Sequence, residues 1–386
     1  MTPRHHLSFG SGYFAFFAIL GLMVPYLSVF LDGRGYSSLQ IGELLAILMA
    51  TRIVSPNLWA YVADHTGKRV HVMRVGALLA FVCFFLAYPN RGIAWMALAL
   101  ASFSFFWAAI LPQLEVLTLR SLGQERHHYS KIRAWGSIGF ILVVVIAGYV
   151  IEARGAEQLL IIGSVLLGLL VVSTYLINDI AIPRDDSQSQ TLAENWLSWP
   201  MAAFMVSTIL LQISHGPYYG FFVLYMEQFG YSNAIAGWLI TLGVVAEIGV
   251  FMVSGRLLER MGIKAVLAGA LLLTAGRWAL LAWFAHWLPT LLLAQVLHAA
   301  SFGLTHAASI QFIHGYFSEK QQGRGQAMYN SIGFGVGGAI GAWIAGLTWQ
   351  QGQGATTSFA IATIAALLAW ALIMFIPTQR LAPTHK

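Results

Sequence analysis

Apolar residues gather in twelve runs, at 8–31, 39–62, 71–89, 92–118, 134–151 and 158–178, then at 200–226, 234–257, 264–285, 290–316, 327–349 and 357–377. A helix needs about 20 such residues to cross the hydrocarbon core of a bilayer, so the pattern predicts twelve transmembrane helices. Between the sixth and seventh runs lies a polar stretch from Asn178 to Ser198 that holds Pro183, Asp185, Asp186 and Glu194. The chain is therefore expected to form a bundle of six helices over 1–178, a linker at 179–199, a second bundle over 200–379 and a tail at 380–386. The first run follows Arg4, His5 and His6, but it is longer than the core of a signal peptide and no small-residue cleavage site follows it. It is expected to be retained.

The two sets of runs are copies. Gly35-Tyr36-Ser37-Ser38 matches Gly230-Tyr231-Ser232-Asn233 at a spacing of 195 residues, and Gly42 matches Gly237 at the same spacing. The correspondence continues from Ala60, Asp64, Gly67 and Arg69 to Gly255, Glu259, Gly262 and Lys264, and from Ser137-Ile138-Gly139 to Ser331-Ile332-Gly333. Duplication predicts an all-α integral membrane protein of two pseudo-symmetric six-helix bundles around a central cavity, the plan by which secondary transporters expose one site to each side in turn.

Composition narrows the class further. With 58% hydrophobic and 9% charged residues, water could not solvate the surface, so a soluble globule is excluded. The formal charge of +6 comes from bases scattered over short connectors, with no basic arm, RNP motif or zinc finger, so no nucleic-acid partner is expected. Placing both termini in the cytoplasm puts sixteen of the 21 Lys and Arg residues on that side and only Arg34, Arg91 and Arg154 on the other, with Arg52 and Arg277 inside spans. That asymmetry predicts the orientation. Cys83 is the single cysteine, which excludes a disulfide framework and a thiolate metal site and leaves it a packing role.

Ala60-Tyr61-Val62-Ala63-Asp64-His65-Thr66-Gly67-Lys68-Arg69, between spans two and three, resembles the signature loop of the major facilitator superfamily. Gly255-Arg256-Leu257-Leu258-Glu259-Arg260-Met261-Gly262-Ile263-Lys264 resembles its second copy, with Ala60, His65 and Ile263 as departures. The resemblance makes Asp64, Gly67, Lys68, Arg69, Gly255, Glu259, Arg260 and Gly262 gating residues. In that role the acid bonds a neighbouring helix terminus and basic groups while the inner gate is shut.

Within that superfamily the chain looks most like the phenylpropionate permease group, itself similar to lactose permease and other proton symporters. The markers are Arg133-Ala134-Trp135-Gly136-Ser137-Ile138-Gly139-Phe140, His215 with Tyr218-Tyr219, Gly243-Val244-Val245-Ala246-Glu247, Arg277-Trp278 and Gln295-Val296-Leu297-His298. Set against lactose permease, Glu115 and Arg133 stand where its sugar-binding carboxylate and guanidinium stand, and Phe140 replaces its stacking Trp. Arg277 and His298 match its proton-coupling Arg and His. Ser301 falls where its span-ten carboxylate would be, and Glu247 lies about one helical turn from the span-eight acid. Span five lacks a Gly-Pro kink, a departure from the superfamily's proton antiporters.

Arg52, Glu247 and Arg277 fall inside predicted spans, where an ionised side chain costs at least about 2.5 kcal/mol unless it is paired or faces a wet cavity. Glu247 is expected to take and release the coupled proton, with Arg277 as its counter-ion or as the holder of an anionic substrate group. The other reading is a fixed bridge from Glu247 to Arg277 or Arg52 that sets helix packing. Gln212, His215, Tyr219 and Phe222 share one face of span seven with Tyr218 at its flank, and Gln295, His298, Phe302, Thr305 and Ser309 share one face of span ten. Polar groups interleaved with rings suit a cavity that binds a small aromatic or sugar molecule. Tyr13, Phe17 and Tyr26 of span one are further lining candidates, whereas His306 and His314 are expected to pack. Gly333, Gly337 and Gly341 form a small-residue face for close helix approach. Glu115 and Arg133 suit either substrate binding or an ion pair at the cytoplasmic mouth.

The combined expectation is a monomeric, proton-driven importer of a small organic solute in the cytoplasmic (inner) membrane of a bacterium. The resemblance, Arg277 and the aromatic stripe point to an aromatic carboxylate, bound by Arg277, His215, Tyr218, Tyr219, Phe222, Trp278, Gln295, His298, Phe302, Glu115, Arg133 and Phe140. Resemblance to lactose permease keeps a sugar or nucleoside open. No cofactor or metal is expected, because Walker, HExxH and Gly-x-Ser-x-Gly motifs and a cysteine cluster are missing and His298 with His306 lacks a third ligand in the span. An enzyme is therefore not expected.

Overall fold

A computed structural model describes residues 3–123, 125, 128–178, 198–318 and 321–377. The expected linker, apart from residues 198 and 199, and the expected tail lie outside the described residues, as do Arg126, Arg184, Lys320, Arg380 and Lys386 among the bases assigned to the cytoplasm. Every regular element among the described residues is helical. Among the described residues ten helices are long and apolar enough to cross a membrane.

Packing sorts the described residues into two units that do not follow chain order. Unit 1 takes those of Met1–Tyr36, Ala50–Gln188 and Tyr231–Gly237, and unit 2 those of Ser37–Met49, Ser189–Gly230 and Trp238–Lys386. The first runs through α1 (Pro3–Gly33), most of α2 (Ser38–Thr66), α3 (Arg69–Phe84), α4 (Ile93–Trp107), α5 (Ile110–Leu122), α6 (Tyr129–Arg154) and α7 (Gln158–Tyr175). α1 is its axis and packs chiefly on α6 and α7. Its Tyr26 is fully buried and donates to the Val144 carbonyl at 2.6 Å, so this candidate lining residue is tied to helix packing.

The predicted span four is not one helix. Pro112 has no N–H to return to the carbonyl of Ala108 four residues back, and its ring crowds that carbonyl. The helix accordingly stops at Trp107 and restarts at Ile110. The predicted span seven breaks for the same reason. Pro217 cannot bond the Ile213 carbonyl, and α8 (Trp199–Ser214) gives way to α9 (Gly216–Gln228) at His215. The break lets backbones touch, since a Cβ on Gly216 would lie 2.2 Å from the Gly341 carbonyl oxygen. The small-residue face of span eleven meets α8 alongside, with Gly333 against Thr208, Gly337 against Ile209 and Gln212, and Gly341 against Ile213.

The rest of unit 2 comprises most of α10 (Asn233–Trp283), with α11 (Leu288–Val296), α12 (Thr305–Tyr316), α13 (Gln322–Met328), α14 (Gly338–Trp349) and α15 (Ala355–Phe375). Gly262, at φ 79° and ψ 159°, bends α10 into the predicted spans eight and nine. With α8 and α9 together forming span seven, the fold agrees with twelve crossings. Two wider turns interrupt the expected α spacing: the π segments Ala299–Leu304 in span ten and Tyr329–Gly337 in span eleven. Buried rings and aliphatics from α8, α10, α12 and α15, Phe204, Leu271, Phe312 and Ile373 among them, form a core of unit 2.

Candidate functional site

The charged centre of unit 2 is built on Arg277. This guanidinium is 0% exposed and lies over the rings of Tyr218 at 4.1 Å and Trp278 at 4.4 Å. Its Nε donates to the Ala294 carbonyl at 2.8 Å and its Nη1 to Ser301 Oγ at 2.8 Å. Ser301 lies within the π segment of span ten, and Ala294 lies on the helix that leads into it.

His298 stands between Arg277 and Glu247. Its Nδ1 is 3.1 Å from Arg277 Nη1, and its Nε2 is 3.4 Å from Glu247 Oε2. A guanidinium only donates, so Nδ1 accepts and the proton of the neutral imidazole sits on Nε2, facing the carboxylate. The expected direct Glu247–Arg277 pair is absent among the described residues. A histidine separates the two charges. Gly303 makes room for this, because a Cβ there would meet Val250 at 2.6 Å and Glu247 Cγ at 3.4 Å.

Around this relay the structure gathers most of the candidates of spans seven, nine and ten. Tyr218, expected at the flank of its face, is central: it donates to Gln295 Oε1 at 2.7 Å and its ring lies 5.8 Å from His298. His215 occupies the break itself. It donates from Nδ1 to the Leu211 carbonyl at 2.8 Å, which leaves its enclosed Nε2 as an acceptor. Tyr219 stacks on His215 at 5.4 Å, and Phe222 packs on Tyr218 at 4.8 Å. Trp278 is fully buried and donates to Ser214 Oγ at 3.0 Å. Phe302 stacks between His298 and His306, each at 5.9 Å. Three enclosed atoms, His215 Nε2, Arg277 Nη2 and Gln295 Nε2, have no hydrogen-bond partner among the described residues. Buried polar atoms left in this state call for water or a ligand. The supporting roles of Ser214, Ser301 and the Ala294 carbonyl were missed from sequence, where only the lack of an acid at Ser301 was noted.

Unit 1 holds the other candidates. Arg133 lies over the Phe17 ring at 3.8 Å and over Tyr13 at 5.7 Å. No ion pair within 4.0 Å joins it to Glu115 among the described residues, so of the two readings open for these residues the direct bridge is not formed. Phe140 is placed elsewhere: its backbone abuts Gly21, where a Cβ would sit 2.6 Å from its carbonyl oxygen, and no ring contact brings it to Arg133 or Glu115 among the described residues.

In the first signature loop Arg69 pairs with Asp64 and also donates to Gln113 Oε1 at 2.8 Å, while Gly67 takes φ 69° and Lys68 is exposed. In the second, Gly255, Glu259, Arg260 and Gly262 are exposed. Lys264 contacts a helix carboxyl end instead, donating to the carbonyls of Met374 at 2.9 Å and Ile376 at 2.6 Å.

A helical membrane protein with broken spans, two loops of signature type and a buried guanidinium–imidazole–carboxylate cluster fits a polytopic transporter of major facilitator type. The chain belongs to the MFS_1 like family, which it matches over residues 6–361. Membership makes it a secondary transporter, not an enzyme. It is 29% identical over 371 residues to the Probable 3-phenylpropionic acid transporter of Escherichia coli (strain K12), covering 92% of this chain and 94% of that protein. It is 25% identical to the Maltose permease of Geobacillus stearothermophilus, covering 97% and 95%. In fold it resembles the nucleoside transporter NupG, with TM-score 0.83 at 20% identity over 97% of this chain and all of that one.

Proposed function

We propose that the protein imports a small aromatic carboxylate together with a proton, and that Glu247, His298 and Arg277 couple the two. The observation that carries this reading is the position of His298, with Nδ1 toward Arg277 and Nε2 toward Glu247. With Glu247 ionised, the relay is neutral overall. Protonating Glu247 adds one positive charge to the protein inside the bilayer, and the charge of a substrate carboxylate cancels it. Proton and anion then load in the same step and cross as a neutral pair. The name of the Escherichia coli relative supports an aromatic acid as cargo, and the rings of Tyr218, Tyr219, Phe222 and Phe302 suit one. A sugar or nucleoside is the second reading, supported by the names of the maltose and nucleoside relatives. The protein works as a monomer in the bacterial inner membrane, with both termini cytoplasmic and no cofactor.

Adding 3-phenylpropionate to de-energised cells that carry the protein is expected to make the medium alkaline. Glu247→Gln is expected to abolish both that signal and accumulation against a gradient, while downhill exchange persists. A Glu247→Gln protein that still concentrates the acid under a proton gradient refutes the coupling role.

A further inference from the structure

Arg52 sits midway along α2, about 21 Å from either end at about 1.5 Å per residue. Val54, Leu58 and Tyr61, at 60%, 43% and 65% exposure, mark the open stripe of this helix. At about 100° per residue, Arg52 lies roughly 150° around from that stripe, facing the protein interior. α4 is held against the same side of α2, since Thr51 bonds Ser104 at 2.6 Å and Trp59 Nε1 donates to the Phe105 carbonyl at 3.1 Å.

In this interior position Arg52 has no counter-ion. Among the described residues no carboxylate lies within 4.0 Å of it, no hydrogen bond joins it, and no charged group acts on it. Its one recorded neighbour is the Trp107 ring, 5.8 Å away. Yet the residue is only half-buried and none of its nitrogens is enclosed, so the guanidinium is reachable. Trp107 is 3% exposed and its Nε1 is enclosed without a partner, a second donor lacking an acceptor. Phe16 and Phe103 stack on Trp107 at 4.6 Å and 5.7 Å and fix that ring in the packing of unit 1.

The other two interior arginines are less suited to take an anion. Arg277 spends its Nε and Nη1 on the protein and is walled by two rings. Arg133 lies near enough to Glu115 for the two charges to interact, and that acid would repel a second carboxylate. A planar guanidinium with open nitrogens takes a carboxylate through two parallel bonds.

We propose that Arg52 binds the carboxylate of the transported acid. This rests on the carboxylate reading above but places the anchor in unit 1, leaving Arg277 to the proton relay.

The test is residue-resolved phenylglyoxal labelling of the full-length protein in membrane vesicles, read by mass spectrometry with 3-phenylpropionate or its neutral amide present. Arg52 is expected to label without ligand and to label at least about tenfold more slowly with the acid, the span of one charge-assisted contact, but not with the amide. Sealed Arg277 serves as the unlabelled control. Arg52→Gln is expected to lose uptake of the acid at an unchanged melting temperature, and Arg52→Lys to keep part of it. Refractory Arg52, equal protection by acid and amide, or wild-type uptake by Arg52→Gln overturns the anchor. Uptake without protection sinks the anchor and spares the transport reading, whereas protection without uptake sinks the transport reading and leaves the anchor standing.

Discussion

Glu247 in unit 2 and Arg52 in unit 1 occupy the same place in the duplicated sequence, 195 residues apart. Each faces a distorted helix, and the distortions correspond as well: the π segment Ala299–Leu304 is the counterpart of residues 104–109, where span four breaks. The two copies thus keep an irregular backbone at one point of the scaffold while the side chains there have diverged to opposite charge. In unit 2 the charge is absorbed by a relay of His298 and Arg277. In unit 1 it is left without a counter-ion among the described residues. A charge held by protein groups belongs to the folded state, while one left open is available to cargo.

That contrast is sharpest in stability. Removing Arg277 strands the Ala294 carbonyl, His298 Nδ1 and Ser301 Oγ in a dry interior, so Arg277→Gln is expected to cost about 3 kcal/mol. Arg52→Gln should change stability by no more than about 0.5 kcal/mol, having no partner to abandon. Chemical unfolding in detergent, followed by tryptophan fluorescence, compares the two. Equal losses would remove the distinction between a held charge and an open one.

A smaller effect separates the two backbone distortions. Gly303 corresponds in the repeat to Ala108, so unit 1 already carries a methyl at the place where unit 2 has none. In unit 2 that methyl would meet Val250 at 2.6 Å and push α10 away from the segment bearing His298. Gly303→Ala is expected to cost about 1–2 kcal/mol and to weaken proton-driven accumulation. Ala108→Gly should leave accumulation unchanged, and the same vesicle uptake assay reads both. Accumulation left intact by Gly303→Ala would show that Glu247 does not need its present approach to span ten.

The crossings and the duplication were legible because hydrophobic length and repeat spacing are properties of the chain itself. The irregularities that build the site were harder to read. Pro112 and Pro217 carried a usable signal, since each removes the amide its fourth predecessor would bond, and Gly216 beside Pro217 strengthened it. The π segment has no such mark: Ala299 to Leu304 is as apolar as its neighbours, and the stripe drawn through Gln295, His298 and Phe302 assumed regular α spacing. Glu247 and Arg277 were identified as residues but paired directly, because the position of His298 between them depends on how α10 and span ten pack. Arg52 needed the reverse information, namely that no partner arrives.

The weakest expected effect concerns a task that both units perform with residues at different repeat positions. Arg74 donates to the carbonyls of Thr174 at 3.3 Å and Ile177 at 3.0 Å at the end of α7, and Lys264 serves Met374 and Ile376 at the end of α15. The last carbonyls of a helix lack amide partners and carry partial negative charge, so a cation there is worth about 0.3–1 kcal/mol. Arg74→Met and Lys264→Met are each expected to lose about that much stability in the same unfolding assay. Lys264 also stands within the second signature loop, where Arg69 of the first holds Asp64 and Gln113 instead. If its role is confined to the helix end, Lys264→Met should leave the uptake rate as it was; a rate that falls while stability holds would make the loop base a gating group in unit 2 as well.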